Sequence, residues 1–290
     1  MKKPVFAAIL AMASVGANAQ LLWKVSGNGS KGDSYIFGTH HVAPIAMLDS
    51  IKETLPALQS VETMMGEVDM ISNPSAMQQM TMQYVMAPAD STLSKVMKPE
   101  EIIKLNEILA KYTDGELTAA AFEPLKPAMV STQLAMLQTM VAFPEYNHIE
   151  QLDMTIQQLA AANDKKIEGF ESIESQLNIL MDNPISKQVK DLVEALDRDN
   201  DSVVKAQELA EAYFARDLDK IEDIILKSND MEPDDIQRLI TDRNNAWVKI
   251  LQEKLPQETL FVAVGVGHIV GENGLLNQLK QSGYTIKPIK

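Results

Sequence analysis

Segments with the pattern of β-strands lie towards both ends of this 290-residue chain, and a long helical stretch separates them. Short runs rich in aromatic and β-branched residues predict strands at 21–25, 35–39, 61–68, 259–264 and 284–289. Between 74 and 255, apolar residues recur at helical spacing, with one further strand predicted at 166–170 and shorter helices predicted outside this stretch at 49–59 and 275–281. The pattern predicts an α+β fold: a mixed β-sheet formed from the N- and C-terminal segments, with a large helical insertion as a cap.

Residues 1–19 have the three parts of a secretory signal peptide. Lys2 and Lys3 form a charged start, residues 5–15 are apolar but too few to span a bilayer, and a small-residue cleavage site ends at Ala19. No cysteine follows for lipid attachment, and no later stretch is long and apolar enough for a transmembrane helix. The sequence therefore predicts an exported protein, periplasmic or secreted, whose mature domain spans 20–290 with the helical cap at roughly 74–255.

The composition restricts the chemistry available to the chain. With no cysteine and four histidines, it has no thiol nucleophile and no cysteine ligand, so imidazole and carboxylate must hold any metal. The formal net charge is −14, and such an acidic surface repels the phosphate backbone of nucleic acids. We therefore expect no nucleic-acid partner.

Two predicted strands share an ending in which a histidine follows a glycine by three residues. Gly38 precedes His41 after the strand at 35–39, and Gly265 precedes His268 after the strand at 259–264. A glycine at a strand end permits an unusual turn and a close approach of other groups. If the two strands are neighbours, the two imidazoles meet at one edge of the sheet. His40 and His41 face opposite ways in extended backbone, so only one of them is expected in the site.

Carboxylates follow a third predicted strand. Glu67 and Asp69 are two residues apart, so in extended backbone they share a face and reach the same edge. Two imidazoles with one or two carboxylates suit a divalent transition metal such as Zn²⁺ or Mn²⁺, which lowers the pKa of a bound water. The alternative is that these acids belong to the general surface of an acidic protein.

A glycine-rich segment at 262–271 resembles a dinucleotide-binding turn but departs from it in two ways. Its third glycine stands one residue late, and no acidic residue follows Glu272 to hold a ribose hydroxyl. Nucleotide binding is therefore not expected.

Four acids occupy positions one, three, five and twelve of a calcium-loop pattern: Asp197, Asp199, Asp201 and Glu208. Ser202 replaces the glycine that the sharp turn needs, and Lys205 stands where an oxygen ligand is required. A solvated loop between two helices is the simpler interpretation. His148 has no partner pattern around it.

Several motifs spread over the mature chain resemble the TraB/GumN family, which includes the animal TIKI proteins and is distantly similar to erythromycin esterases. The matching segments are Trp23-Lys24-Val25, Tyr35 to His41, Glu67-Val68-Asp69, Gly169-Phe170-Glu171, Arg243-Asn244 with Trp247, Val264 to His268, Gly274-Leu275-Leu276 and Gly283-Tyr284.

The resemblance implies a hydrolase that uses two Gly-x-x-His motifs and an acidic residue. These map onto Gly38 with His41, Gly265 with His268, and Glu67. TIKI members are regarded as metal-dependent proteases, which implies Mn²⁺, Co²⁺ or Zn²⁺ as the cofactor, whereas the esterase relatives are thought to use histidine as a base without metal.

Two further polar positions match the family, Glu171 and Arg243. They are expected to line the pocket, where Arg243 can stabilise an oxyanion or orient a carboxylate, unless both only form a structural ion pair. Between the adjacent histidines we favour His41 over His40, because it keeps the family spacing from the glycine.

These observations predict an exported metal-dependent hydrolase that cleaves a peptide or protein substrate. His41, Glu67 and His268 are the expected metal ligands and, with Arg243, the expected catalytic groups, with Glu67 as ligand or general base. The alternative is a non-catalytic periplasmic protein that binds or regulates a peptide through the same cleft.

Overall fold

The structure, a computed structural model, describes residues 20–146, 150–228 and 231–289. The predicted signal peptide at 1–19 and His148 lie outside the described residues.

Six strands form one mixed sheet in the order β4-β3-β5-β2-β1-β6. The neighbours β4, β3, β5 and β2 run parallel to one another, whereas β1 is antiparallel to both β2 and β6. The strands are β1 Leu22–Ser26, β2 Ser34–Thr39, β3 Thr63–Gly66, β4 Lys166–Gly169, β5 Leu260–Gly265 and β6 Thr285–Pro288. Both ends of the chain therefore build the sheet, as predicted.

Helices surround the sheet and fill the middle of the chain. They are α1 Ala46–Ser50, α2 Thr54–Ser60, α3 Pro74–Val85, α4 Leu93–Val96, α5 Pro99–Thr113, α6 Pro127–Met140, α7 Leu152–Ala162, α8 Ile173–Met181, α9 Ile185–Asp197, α10 Asp199–Phe214, α11 Leu218–Leu226, α12 Pro233–Ile236, α13 Asp242–Lys254 and α14 Leu275–Gln281. A π-helical turn, Gln237–Thr241, leads into α13. Among the described residues, no helix combines the length and apolar character needed to cross a bilayer. The α+β prediction is confirmed.

Two predicted elements differ in extent. The strand predicted at 61–68 spans only Thr63–Gly66. The helix predicted at 49–59 is two short helices, α1 and α2, because Pro56 has no N–H to bond four residues back and its ring clashes with the carbonyl there. Pro56 is tolerated because it stands in the first turn of α2.

Two hydrophobic cores hold the fold together. The larger one packs both faces of the sheet against flanking helices and includes the fully buried Phe37, Phe261 and Trp247. The smaller one lies within the helical cap and contains Leu105 and Leu192. The cap thus has its own apolar interior, while α7 and α13 pack on the sheet itself.

The calcium-loop pattern does not form a loop. Asp197 ends α9, whereas Asp199 begins α10 and accepts hydrogen bonds from Lys111 Nζ, Tyr112 Oη and Gln138 Nε2 at 2.8, 2.7 and 2.8 Å. The interpretation of this segment as a solvated loop is therefore wrong. Asp199 is buried, and its carboxylate hydrogen-bonds α10 to α5 and α6.

Candidate active site

Four loops meet at one edge of the sheet, where the parallel strands β2, β3, β4 and β5 have their carboxyl-terminal ends. In that order they carry His41, Glu67, Glu171 and His268. Arg243 comes from the first turn of α13 and lies among them. The predicted convergence of strand ends thus places most of the candidate residues together.

The glycines of the two motifs lie close to neighbouring side chains. A Cβ on Gly38 would lie 2.7 Å from Ile269 Cδ1, and one on Gly265 would lie 3.2 Å from Glu67 Oε1. Neither glycine has a positive φ, so the expected unusual turn is not observed. The expected close approach of other groups is what the structure shows.

His41 pairs with a carboxylate from the first turn of α7. His41 Nδ1 lies 3.0 Å from Asp153 Oδ2, and Asp153 Oδ1 accepts a hydrogen bond from Thr39 Oγ1 at 2.5 Å. The charge of Asp153 and its hydrogen bond raise the pKa of the His41 imidazole. The His41 side chain is 70% exposed and lines a pocket.

His40 points away from this site, although β2 ends at Thr39 and the strand alternation expected for the two histidines stops before them. Its ring packs against Phe143 and Tyr213, with ring centroids 4.7 and 5.5 Å apart. Burial lowers the pKa of His40 to about 4, and its Nδ1 is buried without a described partner. Of the two adjacent histidines, His41 is therefore the one at the pocket.

Both oxygens of Glu67 are engaged. Oε1 accepts the Gly265 N–H at 2.9 Å, while Oε2 accepts from Arg243 Nη2 at 2.6 Å and from Gln176 Nε2 at 3.1 Å. Burial alone would raise the pKa of this carboxyl, but His268, Arg243, His41 and the Gly265 N–H outweigh it and lower the pKa to about 2. Glu67 is thus a fixed anion and a poor base.

Arg243 is a buried cation that joins three of the candidate groups. Besides Glu67, its Nε donates to Glu171 Oε1 at 2.8 Å, and its Nη1 lies 3.1 Å from His268 Nε2. Nη1 also donates to Leu239 O at 3.2 Å, within the π-helical turn, a feature that recurs at functional sites. The arginine that matches the family therefore contacts Glu67, Glu171 and His268 in the structure.

His268 lies behind Arg243. Its ring packs against that of Trp247 in a tilted arrangement, with ring centroids 4.4 Å apart, and its Nδ1 is 2.8 Å from Asn244 Oδ1. Burial lowers the pKa of His268 to about 4, so the imidazole is neutral at physiological pH. The two motif histidines thus occupy different environments, although their sequence motifs match.

Glu171 belongs to the Arg243 cluster at the sheet edge, whereas Asp69 does not. Glu171 Oε1 accepts from Trp247 Nε1 at 2.8 Å as well as from Arg243, whereas its Oε2 is buried without a described partner. Asp69 Oδ1 accepts the backbone N–H groups of Ile71 and Ser72 in a local turn. Because β3 ends at Gly66, the strand alternation that would have aimed Asp69 at the site stops before it.

A pocket of about 340 Å³ lies between this edge and the helical cap. Its polar lining comes from His41, Glu67, Gln151, Asp153, Gln157, Gln176 and Arg243. Its apolar lining comes from Val68, Met70, Met136, Ile179, Leu180 and Ala263. The pocket therefore combines polar and apolar groups from both the sheet and the helices that face it.

The expected ligands His41, Glu67 and His268 do not form a metal-binding set. Glu67 Oε2 and His268 Nε2 lie 2.6 and 3.1 Å from the guanidinium nitrogens of Arg243, a permanent cation, and Glu67 Oε1 accepts the Gly265 N–H. No group of three or more potential ligand residues capable of holding a metal occurs within 20–146, 150–228 and 231–289. The donor chemistry of this edge therefore does not fit the predicted metal.

Three functional candidates were missed from sequence: Asp153, Gln176 and Asn244. Asp153 and Gln176 lie on the helices α7 and α8, which approach the edge only in the folded chain. In the sequence, Asn244 stands out only as the neighbour of Arg243. An acid in the first turn of a helix ordinarily indicates helix capping, so Asp153 carried no distinguishing signal.

The family model described as TraB/PrgY/gumN family matches residues 21–288. No curated protein and no solved structure gives a significant match to this chain. The match covers nearly the whole chain and includes every candidate residue at the sheet edge. The chain therefore belongs to the TraB/PrgY/gumN family.

Proposed function

We propose that this protein is a hydrolase of acyl bonds in peptides or related compounds, and that its His41–Asp153 pair activates the attacking water. The supporting observation is that this pair and Arg243 line one pocket, His41 with an exposed ring and Arg243 with a spare N–H group. A base and a cation facing one cavity are the minimum set for attack of water on a carbonyl.

Asp153 fixes the orientation of the proposed base. A carboxylate only accepts hydrogen bonds, so the proton of neutral His41 lies on Nδ1 and the lone pair on Nε2. Nε2 is then the atom that removes a proton from water, and Asp153 stabilises the imidazolium that forms. Thr39 holds the other oxygen of Asp153 and limits its rotation.

Arg243 supplies the positive charge. A guanidinium has five N–H groups, and the contacts to Glu171, Leu239, His268 and Glu67 use four of them. One N–H on Nη2 is left without a partner among the described residues. We assign this group to the oxygen of the substrate carbonyl, which becomes negative as the water attacks.

No step is assigned to a metal, because the guanidinium already contacts Glu67 Oε2 and His268 Nε2, two of the atoms that would bind a metal. This departs from the metal-dependent chemistry expected from the TIKI proteins and follows the pattern expected from the esterase relatives. The TIKI resemblance supports a peptide or protein substrate. Export to the periplasm or the exterior is also proposed, on the basis of the signal pattern at 1–19.

The test is hydrolysis of a library of peptides and acyl esters by the protein beginning at Gln20. We expect cleavage of at least one substrate by the wild type and loss of that cleavage in His41→Ala. The matched control is Asp69→Asn at the same edge, which should cleave normally because Asp69 lies outside the pocket. Saturable binding of a peptide without turnover would instead support the non-catalytic alternative.

A further inference from the structure

The two nitrogens of His268 have partners that together specify one protonation pattern. Nε2 lies 3.1 Å from Arg243 Nη1, and Nδ1 lies 2.8 Å from Asn244 Oδ1. A guanidinium only donates hydrogen bonds, so Nε2 must accept and must carry no proton. The proton of the neutral ring is then on Nδ1.

The hydrogen bonds of the Asn244 amide independently indicate the same protonation pattern of His268. Its Nδ2 lies 3.1 Å from the His268 carbonyl oxygen and 2.8 Å from the Asn273 carbonyl oxygen, and both of these can only accept. The amide nitrogen must therefore face the two carbonyls, which leaves Oδ1 facing the ring. An amide oxygen opposite Nδ1 requires a proton on Nδ1.

We propose that Asn244 is a positioning residue that holds His268 as the neutral Nδ1–H tautomer, so that His268 Nε2 serves as the hydrogen-bond acceptor that aims the Arg243 guanidinium. In the opposite tautomer, an N–H on Nε2 would face an N–H of the guanidinium. The arginine would lose that anchor and keep only its carbonyl and carboxylate partners. His268 therefore acts neither as a base nor as a ligand, although it shares its motif with His41.

Asn244 is suited to this role by its surroundings. It is fully buried at 0% exposure, and Trp247 from the same helix covers the ring that Asn244 orients. The adjacent Asn245 is exposed and accepts a hydrogen bond from Gln278. The helix thus offers two neighbouring asparagines, of which one faces the imidazole and one faces solvent, and the second is a matched control.

The first experiment reads the tautomer directly by NMR of the wild-type protein with ¹⁵N-labelled histidine. With only four histidines in the sequence, single substitutions at His40, His41 and His148 assign the His268 signals by elimination. We expect a protonated Nδ1 and an unprotonated Nε2 at neutral pH. An Nε2–H tautomer or a doubly protonated ring would overturn the proposal.

The second experiment compares Asn244→Leu with Asn245→Leu. The expected effect on catalysis rests on the function proposed above. The tautomer of His268 does not depend on that function, so the NMR result holds even if no substrate is cleaved. Asn244→Leu removes the acceptor of the Nδ1–H and leaves only the guanidinium to favour this tautomer, so the Nε2–H form should become detectable. The guanidinium is then misplaced in part of the molecules, and kcat should fall by roughly 10²-fold with little change in KM. Asn245→Leu should change neither. An unaltered His268 tautomer in Asn244→Leu would remove Asn244 from this role, and an Asn244→Leu chain that does not fold leaves the wild-type spectrum as the deciding result.

Discussion

Replacing Arg243 is expected to reduce both catalysis and stability. Arg243→Met leaves Glu67 and Glu171 as buried carboxylates without their cation, and loss of one partner of a buried ion pair typically lowers the free energy of unfolding by about 3–5 kcal/mol. Removal of an oxyanion donor lowers kcat by about 10²–10³-fold. Urea unfolding and initial rates measure the two effects separately.

Arg243→Lys separates charge from shape. An ammonium keeps the positive charge, but it is a compact group that cannot reproduce the planar fork serving Glu67, Glu171 and His268 together. We expect stability to recover in part and kcat to stay low. The matched control is Arg238→Lys in the preceding turn, since Arg238 bonds Asp235 and lies outside the His41 pocket. Wild-type kcat in Arg243→Lys would contradict the role assigned to the guanidinium.

The second large effect is expected at the His41–Asp153 pair. His41→Ala should lower kcat by about 10²–10⁴-fold, the usual contribution of a general base. Asp153→Asn should cost a similar factor, because an amide no longer enforces the Nδ1–H tautomer of His41. Single-turnover rates on the cleaved library substrate measure both variants.

The pH dependence of the same pair has a definite sign. The base form of His41 is the neutral ring, and Asp153 raises the pKa of that ring, so the wild-type rate should increase with pH between about 6.5 and about 9. In Asp153→Asn the residual rate should reach its plateau at lower pH, because the raising charge is gone. Asp69→Asn should leave the profile in place. A profile that is the same in wild type and Asp153→Asn would show that His41 is not the titrating base.

The sheet edge could be predicted from sequence because strand periodicity and strand-end glycines are local signals. The order β3-β5-β2 brings the ends of three segments together, and His41, Glu67 and His268 follow directly from it. The carboxyl-terminal ends of neighbouring parallel strands lie at the same edge of a sheet. The positions of those three residues therefore follow once β2, β3 and β5 are known to be neighbours.

The hydrogen-bond partners and protonation of each site residue could not be predicted from local sequence patterns. Asp153 reaches His41 from a helix 112 residues further along the chain, so only tertiary packing reveals the pair. The two Gly-x-x-His motifs look equivalent in sequence. In the structure, Trp247 and Arg243 cover the His268 imidazole, whereas the His41 side chain is exposed. The predicted metal site treats the two imidazoles as equivalent ligands, whereas the structure places only that of His268 against the Arg243 guanidinium.

The most direct test of the account is hydrolysis by protein from which divalent metal has been removed. We expect chelator-treated wild type, with metal content verified by mass spectrometry, to keep its full rate on the library substrate, while His41→Ala stays inactive under the same conditions. Loss of activity on metal removal, with recovery on adding Mn²⁺, Co²⁺ or Zn²⁺, would contradict the account and support His41, Glu67 and His268 as metal ligands.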